Sequence, residues 1–315
     1  MLQGVSVIVC CYNSDWIIER CLKSLINQRV SHEWGYEIIV VNNASTDRTV
    51  EIARSVLETS DVNYKIVDEP KPGLLNARKK GISMAQYTYT VYCDDDNLLC
   101  ETYISFMYDK MSRDRTIGAC GATGIPEFEI NPPQIILRHL EGYAVGKQIP
   151  KGSSLFGAGL CVQTEVVWKI YQQQPFYLTG RCNGKLLAGD DGELVRSILL
   201  RGYKTDAVNS ISYVHVLRSN RLTPKYLQKM VKGFALSSPV ILMYDRVLDG
   251  RKPELLKAYL GNIVNFLFCC IKFYQQDYYF HFRYGLDKVF AFHYWGWTKL
   301  NEIHSLLLEC RRSLL

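Results

Sequence analysis

The chain has 315 residues, 48% hydrophobic and 22% charged, with a formal net charge of +6. That composition fits one large globular domain, or a domain with an appendage, and excludes a disordered or low-complexity chain. No basic n-region precedes the short apolar run Val5–Cys10, and the eleven cysteines contain no C-x-x-C pair. Neither an exported disulfide scaffold nor a zinc module is expected, and Cys10-Cys11 and Cys269-Cys270 read as small hydrophobes in a reducing cytoplasm.

Strand-like and helix-like segments alternate from the start. Val5–Cys11 is a β-branched, fully apolar run, as a buried parallel strand requires. Asp15–Gln28 carries Trp16, Ile17, Cys21, Leu22, Leu25 and Ile26 at helical spacing, and Tyr36–Val41 is a second strand. Thr46-Asp47 can cap a helix running to about Leu57. A strand over Val62–Val67, a helix over Gly73–Met84 and a strand over Tyr87–Cys93 follow, the last leading into Asp94-Asp95-Asp96. A helix near Glu101–Met111 and a strand near Gly118–Thr123 complete the series. Such repeats predict an α/β fold, a mainly parallel sheet with helices on both faces, whose ligands bind beyond the carboxyl ends of the strands. Tyr12-Asn13, Asn42-Asn43 and Asp94–Asp96 are then expected along one edge.

From about residue 125 prolines and glycines mark a long irregular connection as far as Phe156. A strand near Gly159–Gln163, a helix through Trp168, a helix over Asp190–Leu200 and two strands, Tyr203–Val208 and Ile211–Val216, come next. Beyond Thr223 the pattern is helical. Residues 221–315 hold 14 Lys and Arg against 7 Asp and Glu, a balance of +7, and residues 1–220 hold 23 against 24. The division is therefore drawn as an α/β domain over 1–220 and a basic, aromatic-rich helical region over 221–315.

The acidic triplet is the first chemical signal. In an extended or turning backbone residues i and i+2 point the same way, so Asp94 and Asp96 can share a target. Carboxylates this close repel unless a cation intervenes, and a hard divalent ion bridging a diphosphate suits oxygen ligands. Cys11-Tyr12-Asn13-Ser14 lacks the glycines that a dinucleotide fingerprint or a P-loop places after the first strand.

Taken together these segments resemble the family 2 glycosyltransferases, with the type A nucleotide-sugar-binding fold, over roughly residues 4–220. The resemblance is carried by Val5–Asn13 (VSVIVCCYN), Ile38–Thr49 (IIVVNNASTDRT), Pro72–Gly81 (PGLLNARKKG), Val91–Leu98 (VYCDDDNL), Gly157–Glu165 (GAGLCVQTE), the stretch Leu187–Tyr203 and His215, in that order. It implies transfer of a sugar from a nucleotide-diphosphate donor, a UDP-sugar, to a hydroxyl group in a single inverting displacement. Tyr12, Asn13, Asn42, Asn43 and Arg78 would hold the nucleotide, and Asp94 and Asp95 the ribose or donor sugar. Asp96, Asp94 and His215 would hold Mn²⁺ or Mg²⁺. Asp191 would act as the catalytic base, with Asp190 its rival. The family usually has an aspartate where Asn42 stands, and asparagine donates as well as accepts; a nucleoside other than uridine stays open there.

Two alternatives are a non-catalytic sugar-nucleotide-binding scaffold and a sugar-nucleotide pyrophosphorylase. The latter would want a Gly-rich, basic loop after the first strand. The tail adds the apolar run Leu255–Tyr274, interrupted by Lys257, Asn262, Asn265 and Lys272, and the aromatic run Tyr278–Trp297. That pattern suits a helix on a membrane surface or one packed on the catalytic domain better than a spanning helix. Membrane contact through 255–297 would place the protein at the inner face of the membrane and make a lipid-linked saccharide the natural acceptor, in polysaccharide or glycan assembly. No nucleic-acid motif is present.

Overall fold

The structure, a computed structural model, describes residues 1–150, 152–182, 185–271 and 278–313. The strands are β1 (Leu2–Cys11), β2 (Gly35–Asn42), β3 (Asn63–Asp68), β4 (Tyr87–Asp94), β5 (Asn97–Leu99), β6 (Ile117–Phe128), β7 (Cys161–Gln163), β8 (Gly180–Cys182), β9 (Lys185–Leu187) and β10 (Lys204–Leu217). The helices are α1 (Ile18–Ile26), α2 (Thr49–Glu58), α3 (Leu74–Met84), α4 (Tyr103–Arg113), α5 (Gln134–Leu137), α6 (Thr164–Gln173), α7 (Asp190–Leu200), α8 (Pro224–Leu248), α9 (Leu255–Ile271), α10 (Tyr278–Trp295) and α11 (Trp297–Arg312).

Eight strands form one sheet in the order β3-β2-β1-β4-β7-β6-β10-β5, and β8 and β9 form a small separate hairpin. The β3-β2-β1-β4 half is parallel, β7 runs antiparallel between β4 and β6, and β6 pairs in parallel with β10. The alternation of strand side chains explains the two layers. Val5, Val7 and Val9 pack with Ile38 and Val40 against Ile18, Leu22 and Leu25 of α1 and Met107 of α4. Ile8, Ile39 and Val41 face the other way, onto Ala77, Ile170 and Ile198 of α3, α6 and α7. A Cβ on Gly81 would lie 2.4 Å from Ile8 Cγ2, so α3 sits this close to β1 only because that residue is glycine.

Register sets the functional edge. Cys10 lies opposite Asp94 and Cys11 opposite Asn42, so the loops after β1, β2 and β4 emerge side by side. Two expectations are corrected. The two predicted late strands are a single strand, β10, whose register against β6 shifts between Val208 and Ser212, a bulge that keeps both halves paired. Residues after 125 are not yet irregular: β6 continues to Phe128 through Pro126. Within β6, β7 pairs with Ala119 and Cys120 alone among the described residues, so farther along that side of β6 a proline leaves no ladder bond to β7 unmade.

Beyond β10, Thr223 caps α8 through its Oγ1, which accepts from Tyr226 N at 3.1 Å, and Pro224 takes the first turn. Pro239 inside α8 removes the bond to the Ala235 carbonyl, and Ser238 Oγ donates to that oxygen instead, at 2.8 Å. Val240, Met243, Tyr244 and Val247 of α8 share a core with Phe292, Leu300, Ile303 and Leu307, and with Leu178 and Leu200 from the preceding segment. Among the described residues no helix is long and apolar enough to cross a membrane. Lys272–Tyr274 of the predicted apolar run lie outside the described residues.

Candidate functional site

At the end of β4 the backbone turns at once, and the three carboxylates part company. Asp94, the last strand residue, lies 3.9 Å from Arg78 Nη2. Asp95 accepts from Tyr12 N at 3.3 Å and from the Ser14 hydroxyl. Asp96 Oδ2 meets Arg221 Nη1 at 2.6 Å, and its Oδ1 stands 3.3 Å from His215 Nε2. Asp94 and Asp96 thus face different guanidinium groups, Asp94 closing the strand and Asp96 lying in the turn that follows it. Asn97, fully buried, braces the turn by accepting from Asp94 N at 3.2 Å and donating to Asp96 Oδ1 at 3.3 Å. Burial, with the neighbouring Asp96 charge, pushes the Asp95 carboxyl up to about 7.

Arg78 joins two distant segments. Held 5.3 Å over the Tyr92 ring, it donates from Nη1 to Asp190 Oδ2 at 2.8 Å, and so ties the start of α7 to the end of β4. Burial disfavours its charge, but Asp190 and Asp94 outweigh that and hold the guanidinium firmly protonated. Burial raises Asp190 to about 6 although Arg78 opposes it. Asp191, next along, meets backbone among the described residues: Oδ2 accepts from Gly157 N at 3.0 Å and Oδ1 from Gly192 N at 2.8 Å. Gly157 is where these parts converge, since a Cβ there would lie 2.6 Å from Arg78 Nη2 and 3.2 Å from Asp191 Cβ.

The predicted asparagines are arranged differently. Asn13 (φ 52°) accepts from Thr46 N at 2.8 Å and clips the β1 loop to the β2 loop. Asn43 donates to the carbonyls of Glu69 and Lys71 and accepts from Gly73 N, so it shapes the 69–73 turn. Asn42 accepts from Ser45 N and donates to Asp68 Oδ1 at 2.8 Å. An aspartate at 42 would face that carboxylate across the same gap, which accounts for the amide. Tyr12 is 61% exposed at the mouth of the edge.

Arg221 was not legible in the sequence; its only signal is its place six residues after His215. It sits in the short turn Ser219–Arg221 after β10. Arg218 at the start of that turn stacks 4.4 Å over the Trp16 ring, which draws the turn across the β1 loop. His215 Nδ1 lies 2.7 Å from the Tyr143 carbonyl, and because a carbonyl only accepts, Nδ1 donates there and turns Nε2 toward Asp96 and Arg221. An oriented imidazole beside a carboxylate suits a divalent cation in donor chemistry. The guanidinium of Arg221 reaches both, 3.3 Å from Nε2. Among the described residues no group of three or more His, Cys, Asp or Glu side chains is arranged as a complete metal site.

Residues 6–161 match the family described as Glycosyl transferase family 2. The chain is 25% identical over 282 residues to the cholesterol galactosyltransferase of Borreliella burgdorferi, covering 88% of this chain and 74% of that protein. It is 29% identical over 127 residues to poly-beta-1,6-N-acetyl-D-glucosamine synthase of Staphylococcus aureus, covering 40% of this chain and 29% of that one. Among solved structures, S. aureus TarS 1-349 in complex with UDP-GlcNAc superposes with a TM-score of 0.59 at 15% identity, over 99% of this chain and 92% of that one. The mannosyltransferase PcManGT from Pyrobaculum calidifontis, in complex with GDP-Man and Mn²⁺, superposes with a TM-score of 0.54 at 16% identity, over 99% and 76%. Over residues 6–161 the chain belongs to glycosyl transferase family 2, and its fold is the type A glycosyltransferase fold.

Proposed function

We propose that this protein transfers a sugar from a UDP-sugar to a hydroxyl of a saccharide or lipid-linked saccharide, with inversion, during glycan assembly. The observation that carries the reading is the meeting of Arg78, Asp94, Asp190 and Asp191 at one sheet edge, from three separate segments. Arg78 presents a permanent positive charge to a diphosphate, and Tyr12 offers an exposed ring for the nucleobase. Asn42 and Asp68 stand as a donor and an acceptor for base or ribose. Asp96 and His215, with Asp94, would hold Mn²⁺ or Mg²⁺; when bound, the ion neutralises the departing diphosphate. Asp191, oriented by two backbone N–H groups, takes the proton of the attacking hydroxyl. Cys93 at the end of β4 is a poor nucleophile, because its hydrogen-bond contact with the Cys21 thiol and its burial push its own thiol well up. A base without a nucleophile supports inversion.

The catalytic unit in this reading is 1–220, with 221–315 contributing Arg221 and a membrane-facing surface at the inner leaflet. The relative named as a cholesterol galactosyltransferase supports a lipid-borne acceptor. The test is calorimetric titration with UDP, with and without Mn²⁺, on wild type and Asp96→Ala, followed by a screen of UDP-sugars for transfer. Metal-dependent binding that the variant loses supports the reading. Failure of every nucleoside diphosphate to bind sinks it, and binding without turnover of any donor leaves a scaffold.

A further inference from the structure

Helix α9 is built inside out. On its inner side Tyr259 lies 5.9 Å from the Phe292 ring and 6.0 Å from the Trp297 ring, and Phe266 lies 5.1 Å from Phe282. Its outer side carries Leu256 (57% exposed), Leu260 (49%), Val264 (48%), Leu267 (54%), Phe268 (58%) and Ile271 (66%). Steps of three and four put these six on one stripe. Leu255–Ile271 contains no Asp or Glu, and Lys257 is its single charged residue. Monomeric soluble proteins rarely leave an apolar stripe of this kind in water.

We propose that this face of α9 lies in the surface of an anionic lipid bilayer, with the helix axis in the membrane plane and the stripe among the acyl chains. Charge chooses the occupant. The surrounding region 221–315 has 14 Lys and Arg against 7 Asp and Glu, which complements anionic headgroups, whereas a second copy would set like charge against like. Arg251 and Lys252, exposed just before α9, stand where headgroups would meet it. Trp297, 38% exposed and touching Tyr259, adds an aromatic of the interfacial kind. Seventeen residues extend about 25 Å, and no described helix is suited to cross, so the helix lies on the bilayer and does not span it. This deepens the membrane part of the proposed function by naming the face and the lipid charge, and it does not depend on the donor chemistry.

The test is co-sedimentation of the full chain with phosphatidylcholine vesicles, alone or mixed with phosphatidylglycerol, for wild type and the double variant Leu260→Glu with Phe268→Glu. Wild type is expected to bind the anionic vesicles, more weakly at high salt, and the variant to lose roughly tenfold or more in partition. UDP binding and thermal midpoint are measured on the same samples, and Leu267→Ala with Phe268→Ala supplies a milder pair that introduces no charge. Equal vesicle binding by wild type and both variants overturns the proposal, as does no binding at all. A wild-type dimer in sedimentation velocity that the variant abolishes also overturns it, by assigning the face to a second copy. Lost vesicle binding with UDP binding intact supports it, and a failure of UDP binding alone strikes only the donor reading.

Discussion

The sheet edge and helix α9 break the same rule in opposite directions. At the edge Arg78, Asp190, Asp96, His215 and Arg221 are taken largely out of water, where charged groups are costly unless paired. On α9 the leucines and phenylalanine that belong in a core are left in solvent. Local departures of both kinds are what a functional surface produces, since each is stable only with its compensation. The edge carries its compensation within the chain, as two guanidinium–carboxylate pairs. The helix must find its compensation outside.

Asp191 stands apart within the edge because its described partners are backbone N–H groups, and removing its proton-accepting ability gives the sharpest break. Asp191→Asn keeps the shape and is expected to lower kcat by roughly 10²–10⁴-fold with UDP affinity little changed, measured by initial rates and calorimetry. If Asp190→Asn has the larger kcat effect and Asp191→Asn a small one, the two roles are exchanged.

Arg221 tests whether edge charges stabilise one another. Arg221→Gln takes the guanidinium away from the buried Asp96 and is expected to cost up to about 3–5 kcal/mol of stability in chemical denaturation. Mn²⁺ should then raise the thermal midpoint more in the variant than in wild type, because the cation takes over the vacated charge. An equal metal effect in both would separate Arg221 from the metal position.

Glu193 provides the pH test. It is fully buried, receives the amides of Tyr177 and Leu178 and the Tyr244 hydroxyl, and burial raises its carboxyl to about 7 despite those bonds. A folded value above the unfolded one means its contribution is fully present below about 4.5 and is lost as the pH rises through about 7. The stability of Glu193→Gln relative to wild type should therefore improve from pH 4.5 to 7, by up to a few kcal/mol, and then level off. A pH-independent difference in midpoint would show that Glu193 does not titrate in this range.

The smallest expected effect is at Gly157. An alanine there must displace Arg78 or Asp191 by a few tenths of an ångström, and kcat is expected to fall about tenfold with folding preserved. Unchanged kinetics would mean that the contact relaxes without moving either group.

The apolar strand runs, the strand-end position of Asp94–Asp96 and the helix opening at Asp190 were legible in the sequence, because each rests on local periodicity or on an uninterrupted ordered segment. Helix α7 begins and ends at the predicted residues. Tertiary structure alone decided which charges meet. Arg78 and Asp190 are separated by 112 positions, and Arg221 and Asp96 by 125, so no local pattern links them. It also decided that Asn13 and Asn43 bond to the chain, because backbone donors and acceptors from other loops reach them only once the sheet has assembled. The hydrophobicity of α9 was plain in its residues; that its apolar stripe faces outward depends on how α9 packs against α10.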